Sequence, residues 1–316
     1  MTQHGKQLGV LIANIVLMLG LAMGTHGYFT RVNLTDLFLS MMPVMIISVG
    51  MTLIILTGKI DISVGSVFAV CSVAMGACAA SGIPLALCVI ASCILGTICG
   101  LTNGVFTAYL QVPSIVVTLA TMVALRDALR WKTQGAWISN LPAGFQWFGL
   151  ASSSYLLACI LCVLALLLLA FFGLQYLRAG RIVYATGSNE QAARMIGIDT
   201  RRVVLAVFAI TGLLTGFAAA TNAVRFNQIP SNLGLGLEMQ VIAAVAVGGA
   251  EINGGSASII GTALGVILLG CISSALTFLH VSPYWEKAIQ GAIILFAVAA
   301  DAIQNRRHQH AEARAN

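Results

Sequence analysis

Apolar residues in this chain arrive in runs. Ten of them, at roughly 8–28, 38–57, 62–80, 84–108, 113–130, 152–177, 202–223, 238–250, 256–279 and 285–303, divide most of the sequence between them. A helix needs about 20 predominantly apolar residues to cross a bilayer, and nine of the runs approach or exceed that length. The eighth is short, which predicts either a broken helix or one continued by its neighbours. Inside a bilayer every backbone N–H and C=O must be satisfied by the chain itself, so only helices and closed barrels span it. Barrel strands would read as segments of alternating polarity, and these runs do not alternate. The fold class read from the sequence is therefore all-α: a polytopic transmembrane helical bundle of about ten spans, with both termini on one side. Only 8% of the residues are charged, against 59% hydrophobic. Soluble domains carry about 25% charged residues, so a soluble enzyme is excluded. The net charge of +6 belongs to loops as a topology signal and not to a nucleic-acid surface.

Orientation follows from the basic residues. With the N-terminus cytoplasmic, the inner segments carry Lys6, Lys59, Arg178, Arg181, Arg194, Arg201, Arg202, Arg306, Arg307 and Arg314. The outer ones carry Arg31, Arg126, Arg130, Lys132, Arg225 and Lys287. The bias favours this orientation, and the Arg-rich loop 178–202 is its strongest element. Residues 1–303 read as one transmembrane domain and 304–316 as a polar cytoplasmic tail, in which His308 and His310 are solvated. The run after Lys6 reads as a retained first helix, without a small-x-small cleavage site. All eight cysteines lie in apolar runs and read as packing residues. Cys159-x-x-Cys162 lacks the soluble βαβ context of a redox motif, and no metal-ligand spacing is visible.

Small residues recur at packing spacing: Gly96, Gly100 and Gly104 on the fourth run, Gly212 and Gly216 on the seventh, Gly261 and Gly265 on the ninth. Glycine lets two helix backbones approach closely. An internal echo joins DISVGS at Asp61–Ser66 to EINGGS at Glu251–Ser256. Both hairpins fall on the cytoplasmic side of a ten-span chain. The echo fits related halves of a transporter, and equally two helix starts built from a carboxylate and a small capping residue. Asp61, Ser63, Gly65, Glu251, Asn253 and Gly255 are accordingly candidates for gating or structural roles, with Asp61 able to pair with Lys59. Glu238 is a candidate for the outer mouth, and Arg126, Asp127 and Arg130 for an ion-pair cluster at the end of the fifth span.

Within the spans the polar residues are neutral, among them Asn103, Thr118, Thr121, Thr221 and Asn222. No chain of Asp, Glu or His suggests a proton relay, and no Ser/His/Asp or H-E-x-x-H arrangement suggests hydrolysis. A neutral polar path suits a neutral polar solute such as a sugar, and Asn103, Thr118 and Asn222 are candidates for its wall. The outer loop, with Trp131, Trp137 and Trp147, reads as an interfacial aromatic belt or as a docking or shielding element.

Loop 178–202, RAGRIVYATGSNEQAARMIGIDTRR, predicts a short helix near 189–196. Ser188 or Asn189 would cap it, Arg194 would project from it, and Ala192, Ala193, Met195 and Ile196 would give it an apolar face. It reads as a docking knob or as an ordinary interfacial helix. The stretch GRIVYATGSNEQAARMIGI resembles the coupling loop of permease subunits of sugar-importing ABC transporters of the ribose, rhamnose and furanosyl-autoinducer type. VGMTLIILTGKIDISVGS at 49–66 and VIAAVAVGGAEINGGSASIIGTALG at 241–265 are similar to that family's early and late signatures, in the same order.

The resemblance implies a bacterial inner-membrane permease that works by alternating access. It would pair with a second permease, itself or a paralogue. It would dock two cytoplasmic ATPase subunits, or one tandem ATPase, and receive sugar from a periplasmic binding protein. The coupling role would fall on Gly187, Asn189, Glu190, Ala193, Arg194 and Gly197. No G-x-x-x-x-G-K-[ST] occurs in the chain, so it is expected to bind no cofactor itself, with ATP and Mg handled by the partner ATPase. Rival readings are a branched-chain amino acid ABC permease, a stand-alone sugar facilitator and, least supported, a membrane enzyme.

Overall fold

A computed structural model describes residues 3–279 except residue 26, and scattered residues between 281 and 295. Its helices are α1 (Gln3–Gly24), α2 (Arg31–Leu56), α3 (Val64–Ala80), α4 (Leu85–Ala108), α5 (Ser114–Thr133), α6 (Ser152–Tyr176), α7 (Arg178–Ser188), α8 (Glu190–Met195), α9 (Thr200–Ala223), α10 (Leu237–Val247) and α11 (Ile259–Phe278). Each of the first nine runs overlaps one of these helices, with ends that differ by up to seven residues. The tail 304–316, with His308 and His310, lies outside the described residues, as does most of the tenth run. Six helices, within α1, α2, α4, α6, α9 and α11, are long and apolar enough to cross a membrane. The protein is an all-α helical membrane protein. Among the described residues the only bridge between extended segments joins Ile138 to Ile229 in the loops after α5 and α9.

The layering follows from which apolar helices are covered. α2 is the pillar: from Leu37 to Leu56 it is almost wholly buried, with Ile46, Ile47, Met51, Ile54 and Ile55 inaccessible. α9 packs against α2, α3 and α4 and is buried over most of its length. α1, α4 and α6 instead turn apolar residues outward, such as Leu8, Ile12 and Val16, Ile90, Ile94 and Ile98, and Leu161, Leu164 and Leu168. Such faces suit acyl chains, which are as apolar as Leu.

The glycine rows bring backbones together as their spacing predicts. A Cβ on Gly96 would overlap the carbonyl oxygen of Gly212, one on Gly100 that of Phe208, and one on Gly216 that of Ser92. Ser92 Oγ also donates to the Gly216 carbonyl at 2.8 Å. On the other side, Gly261 meets the Gly248 carbonyl and Gly265 that of Ala244, seating α11 on α10.

Two helices depart from full spans, α3 with 17 residues and α10 with 11. The segment before α3 climbs into the bundle. Ile60 N–H bonds Ser114 Oγ at the start of α5, whereas Ser66 Oγ bonds the Met122 carbonyl. Met122 stands about 12 Å further along α5, at 1.5 Å per residue. α3 therefore begins well inside the bundle, and the eighth run holds only the 11-residue α10.

Candidate coupling site

The loops that carry the internal echo meet at one end of the bundle, and the elbow between α7 and α8 sits on them. α2 stops at Thr57 and Gly58, where Gly58 turns with a positive φ of 69°. The second loop runs back against it: Gly255 N–H donates to the Leu56 carbonyl at 3.0 Å, and Gly254 and Gly255 have φ of 94° and 83°. Such φ values cost a side-chain-bearing residue free energy and cost glycine little. Gly187 closes the assembly. A Cβ there would overlap the Leu56 carbonyl oxygen and stand 2.9 Å from Gly255 N. Tyr184 of α7 donates to the Ala257 carbonyl at 2.9 Å, and burial pushes its phenol above the usual range, so it remains a protonated donor. Glu251 reaches Lys6 of α1 at 3.8 Å, and Gly58 packs against the backbone of Asn253.

α8 is built as its sequence predicts. Asn189 is the N-cap, its Oδ1 accepting from Ala192 N–H at 3.0 Å. Gly197, with φ 85°, ends the helix; its N–H bonds the Arg194 carbonyl, and Ile198 N–H bonds that of Ala193. That pairing closes the last turn of a helix with a left-handed glycine. Arg194, expected to project, is a brace. It pairs with Glu190 at 2.6 Å, and its Nε donates to Thr200 Oγ1 at 2.8 Å, tying α8 to the start of α9. The expected apolar face divides: Ala193 is buried against the bundle, while Met195 and Ile196 are 88% and 76% exposed. These two were not among the coupling residues named from the sequence, although the amphipathic pattern marks them.

The remaining polar candidates are interior. Thr121 Oγ1 donates to Asn103 Oδ1 at 2.7 Å, Asn103 Nδ2 to Ser63 Oγ at 2.9 Å, and Ser63 Oγ to Asp61 Oδ1 at 2.6 Å. Ser63 N–H adds a bond to the same carboxylate oxygen at 2.8 Å. This chain ties the entry to α3 to α4 and α5. Asp61 thus finds its partners in Ser63 and not in Lys59; among the described residues no cation lies within ion-pair distance of it. Thr118 donates to the Ser114 carbonyl at 2.9 Å. Asn103 and Thr118 are fully buried and join helices, so they reach a path only where α3, α4 and α5 part. Asn222 lies at the end of α9, beside Arg225, whose Nη1 donates to the Leu39 carbonyl of α2 at 2.6 Å. Gly65 packs beneath Glu238, which therefore stands beside the first turn of α3. Arg126 is likewise inside the bundle, bonded to the carbonyls of Leu233 and Gly234, while Asp127 and Arg130 form the expected exposed pair at 3.6 Å.

A family model described as branched-chain amino acid transport system / permease component matches residues 33–298. The chain belongs to this family. The autoinducer 2 import system permease protein LsrC of Salmonella typhi is 34% identical over 299 residues, covering 95% of this chain and 86% of that protein. The protein of the same name from Escherichia coli (strain K12 / DH10B) is 33% identical over 301 residues, covering 95% and 87%. That of Photorhabdus luminescens is 32% identical over 305 residues, covering 95% and 90%. No solved structure matches the chain. As a permease of this family, the protein is a multi-pass component of the inner membrane and a part of a transporter, not an enzyme.

Proposed function

We propose that this permease forms the translocation path of an ATP-driven importer for a monosaccharide-like solute of the furanosyl-autoinducer or ribose–rhamnose type. The relatives support the solute class, since they are named as autoinducer 2 import permeases. On this reading the chain has ten spans with both termini cytoplasmic and pairs with itself or a paralogue. It works with two ATPase subunits, or one tandem ATPase, and with a periplasmic binding protein. ATP and Mg are bound by the ATPase alone.

The observation that carries the mechanism is the seating of Gly187 on Leu56 and Gly255. α8 offers Met195 and Ile196 to a cytoplasmic partner. α7 and the elbow at Gly187 and Asn189 rest on the loops that end α2 and precede α11. A push on α8 is therefore delivered to the buried pillar and to α11 at once. Glu190, Arg194 and Thr200 keep α8 rigid against α9, so the movement is not absorbed locally. Asp61 and Ser63, with Gly65 at the start of α3, and Glu251, Asn253 and Gly255 make up the two segments that receive it. Asn103, Thr118 and Asn222 line the helix contacts that part when the path opens.

The test is ATPase activity of the purified complex in nanodiscs. Co-expression with an ABC ATPase and a sugar-binding protein from the same organism, then a monosaccharide panel, should show stimulation by one sugar that requires both partners. Uptake by this chain alone, without ATP, overturns the proposal in favour of a facilitator.

A further inference from the structure

Glu238 and Arg126 are the ionisable pair that the coupling reading leaves unused. Glu238 lies in the first turn of α10, and a Cβ on Gly65 would overlap its carboxylate. Gly65 is the second residue of α3, and Ala80 at the far end of that helix is about 22 Å away at 1.5 Å per residue. Arg126 is about 18 Å along α5 from Ser114. Arg126 is also about 10 Å short of Thr133 at the other end of α5, so both side chains lie within the length of the bundle. Ionisable groups at such depth are costly, and they usually face a path or one another.

Their partners are unusual. Arg126 spends its Nη1 and Nη2 on the carbonyls of Leu233 and Gly234, at 2.9 and 3.3 Å. Glu238 Oε2 is buried and has no hydrogen-bond partner, although Arg126 and Lys287 are the positive charges acting on the carboxylate. A buried acceptor left unmade costs about 1–3 kcal/mol, and more when charged. Backbone crowds the site: Gly65 and Gly234 approach each other so closely that neither position has room for a side chain, and the carboxylate also draws on the backbone N–H groups of Gly236 and Glu238. Gly234 and Gly236 also hold φ of 71° and 88°, which gives the 233–236 turn a conformation of its own.

We infer that Glu238 and Arg126 are the contacts of the solute midway along the path, with the 233–234 turn occupying their site in this conformation. The inference rests on the importer reading. A carboxylate accepts from sugar hydroxyls and a guanidinium donates to them, so the pair matches a neutral polyhydroxylated molecule without attracting a net charge. The Leu233 and Gly234 carbonyls stand where hydroxyl oxygens would accept from Arg126. Withdrawal of the turn exposes the guanidinium and the unclaimed Oε2 together.

The test uses the complete complex, this chain with its ATPase and binding protein, in proteoliposomes supplied with radiolabelled autoinducer 2 and, separately, D-ribose. Glu238→Gln should slow uptake about tenfold or more, since a charged acceptor is lost, while the ATPase still copurifies. Arg126→Lys keeps the positive charge and a donor for the Leu233 and Gly234 carbonyls but not the planar fork of the guanidinium. A pair that only holds the fold would then keep uptake, whereas a solute contact should lose most of it with the complex still assembled. Glu238→Cys should react with a small cationic methanethiosulfonate in one nucleotide state, and sugar should slow that reaction. Wild-type uptake by Glu238→Gln or by Arg126→Lys, or a thiol unreactive in every state, overturns the inference alone. Failure of the wild-type complex to take up either probe overturns the importer reading and the inference with it.

Discussion

Gly187→Ala tests the platform most directly. The added Cβ has no free space: it overlaps the Leu56 carbonyl oxygen and crowds Gly255 N. Both obstacles are backbone, one at the end of the buried pillar and the other in a loop held by its own turn, so neither yields as a flexible side chain would. Overpacking of this kind costs about 1–3 kcal/mol. The Gly255–Leu56 hydrogen bond lies in the way, and its loss adds about 1 kcal/mol. Together, about 2–4 kcal/mol shifts the seated elbow by about 30- to 700-fold in equilibrium. Insertion should survive, because the substitution lies in α7 outside the spans and meets a span only at the last residue of α2. The assay is copurification of the ATPase with tagged permease, followed by sugar-stimulated ATPase activity and uptake in proteoliposomes. Uptake should collapse while the permease level in membranes stays normal. Gly173→Ala in α6, where an added Cβ meets nothing within 4 Å, is the control. Full coupling in Gly187→Ala would refute the argument that the elbow transmits force through backbone contact.

Met195→Asp should abolish ATPase copurification without loss of membrane insertion, since the residue is almost wholly exposed and touches no other part of the fold that its loss would unseat. Arg194→Glu places two acids side by side and removes the Thr200 bond; it should uncouple uptake from ATP hydrolysis, measured as hydrolysis without transport. Asn103→Ala breaks the chain from Thr121 to Asp61. It should destabilise the protein by about 1–3 kcal/mol, seen as a lower melting temperature in detergent. Gly212→Val forces α9 away from the backbone of Gly96; it should reduce the folded yield in membranes, with Ser92→Ala on the same contact costing only about 1 kcal/mol.

How much was legible can be judged residue by residue. A cap at Ser188 or Asn189 and a short helix near 189–196 were readable because capping depends on residues three or four apart in sequence. The glycine rows of α4 and α9 were readable because a repeat of four places small residues on one helix face whatever the partner. The brace made by Arg194 was not: an i,i+4 pair with Glu190 was visible, but the third member, Thr200, belongs to the next helix. Nor was the depth of Arg126 and Glu238. In the sequence both adjoin polar loops and look like residues of a membrane edge. Only the climb of residues 57–63 into the bundle, and the short α10 beside it, carries those charges inward.

The sequence by itself determined that this chain lives in a membrane as helices, because hydrocarbon leaves the backbone no other way to satisfy its hydrogen bonds over runs of this length. It also determined the local form of α8 and the faces on which helices approach. Tertiary structure alone decided that the two echoed loops meet, that Gly187 locks onto both, and that Asp61 is satisfied by Ser63 and Asn103. Those contacts join positions up to two hundred residues apart. Their pairing depends on how whole helices pack, and no short-range periodicity records it.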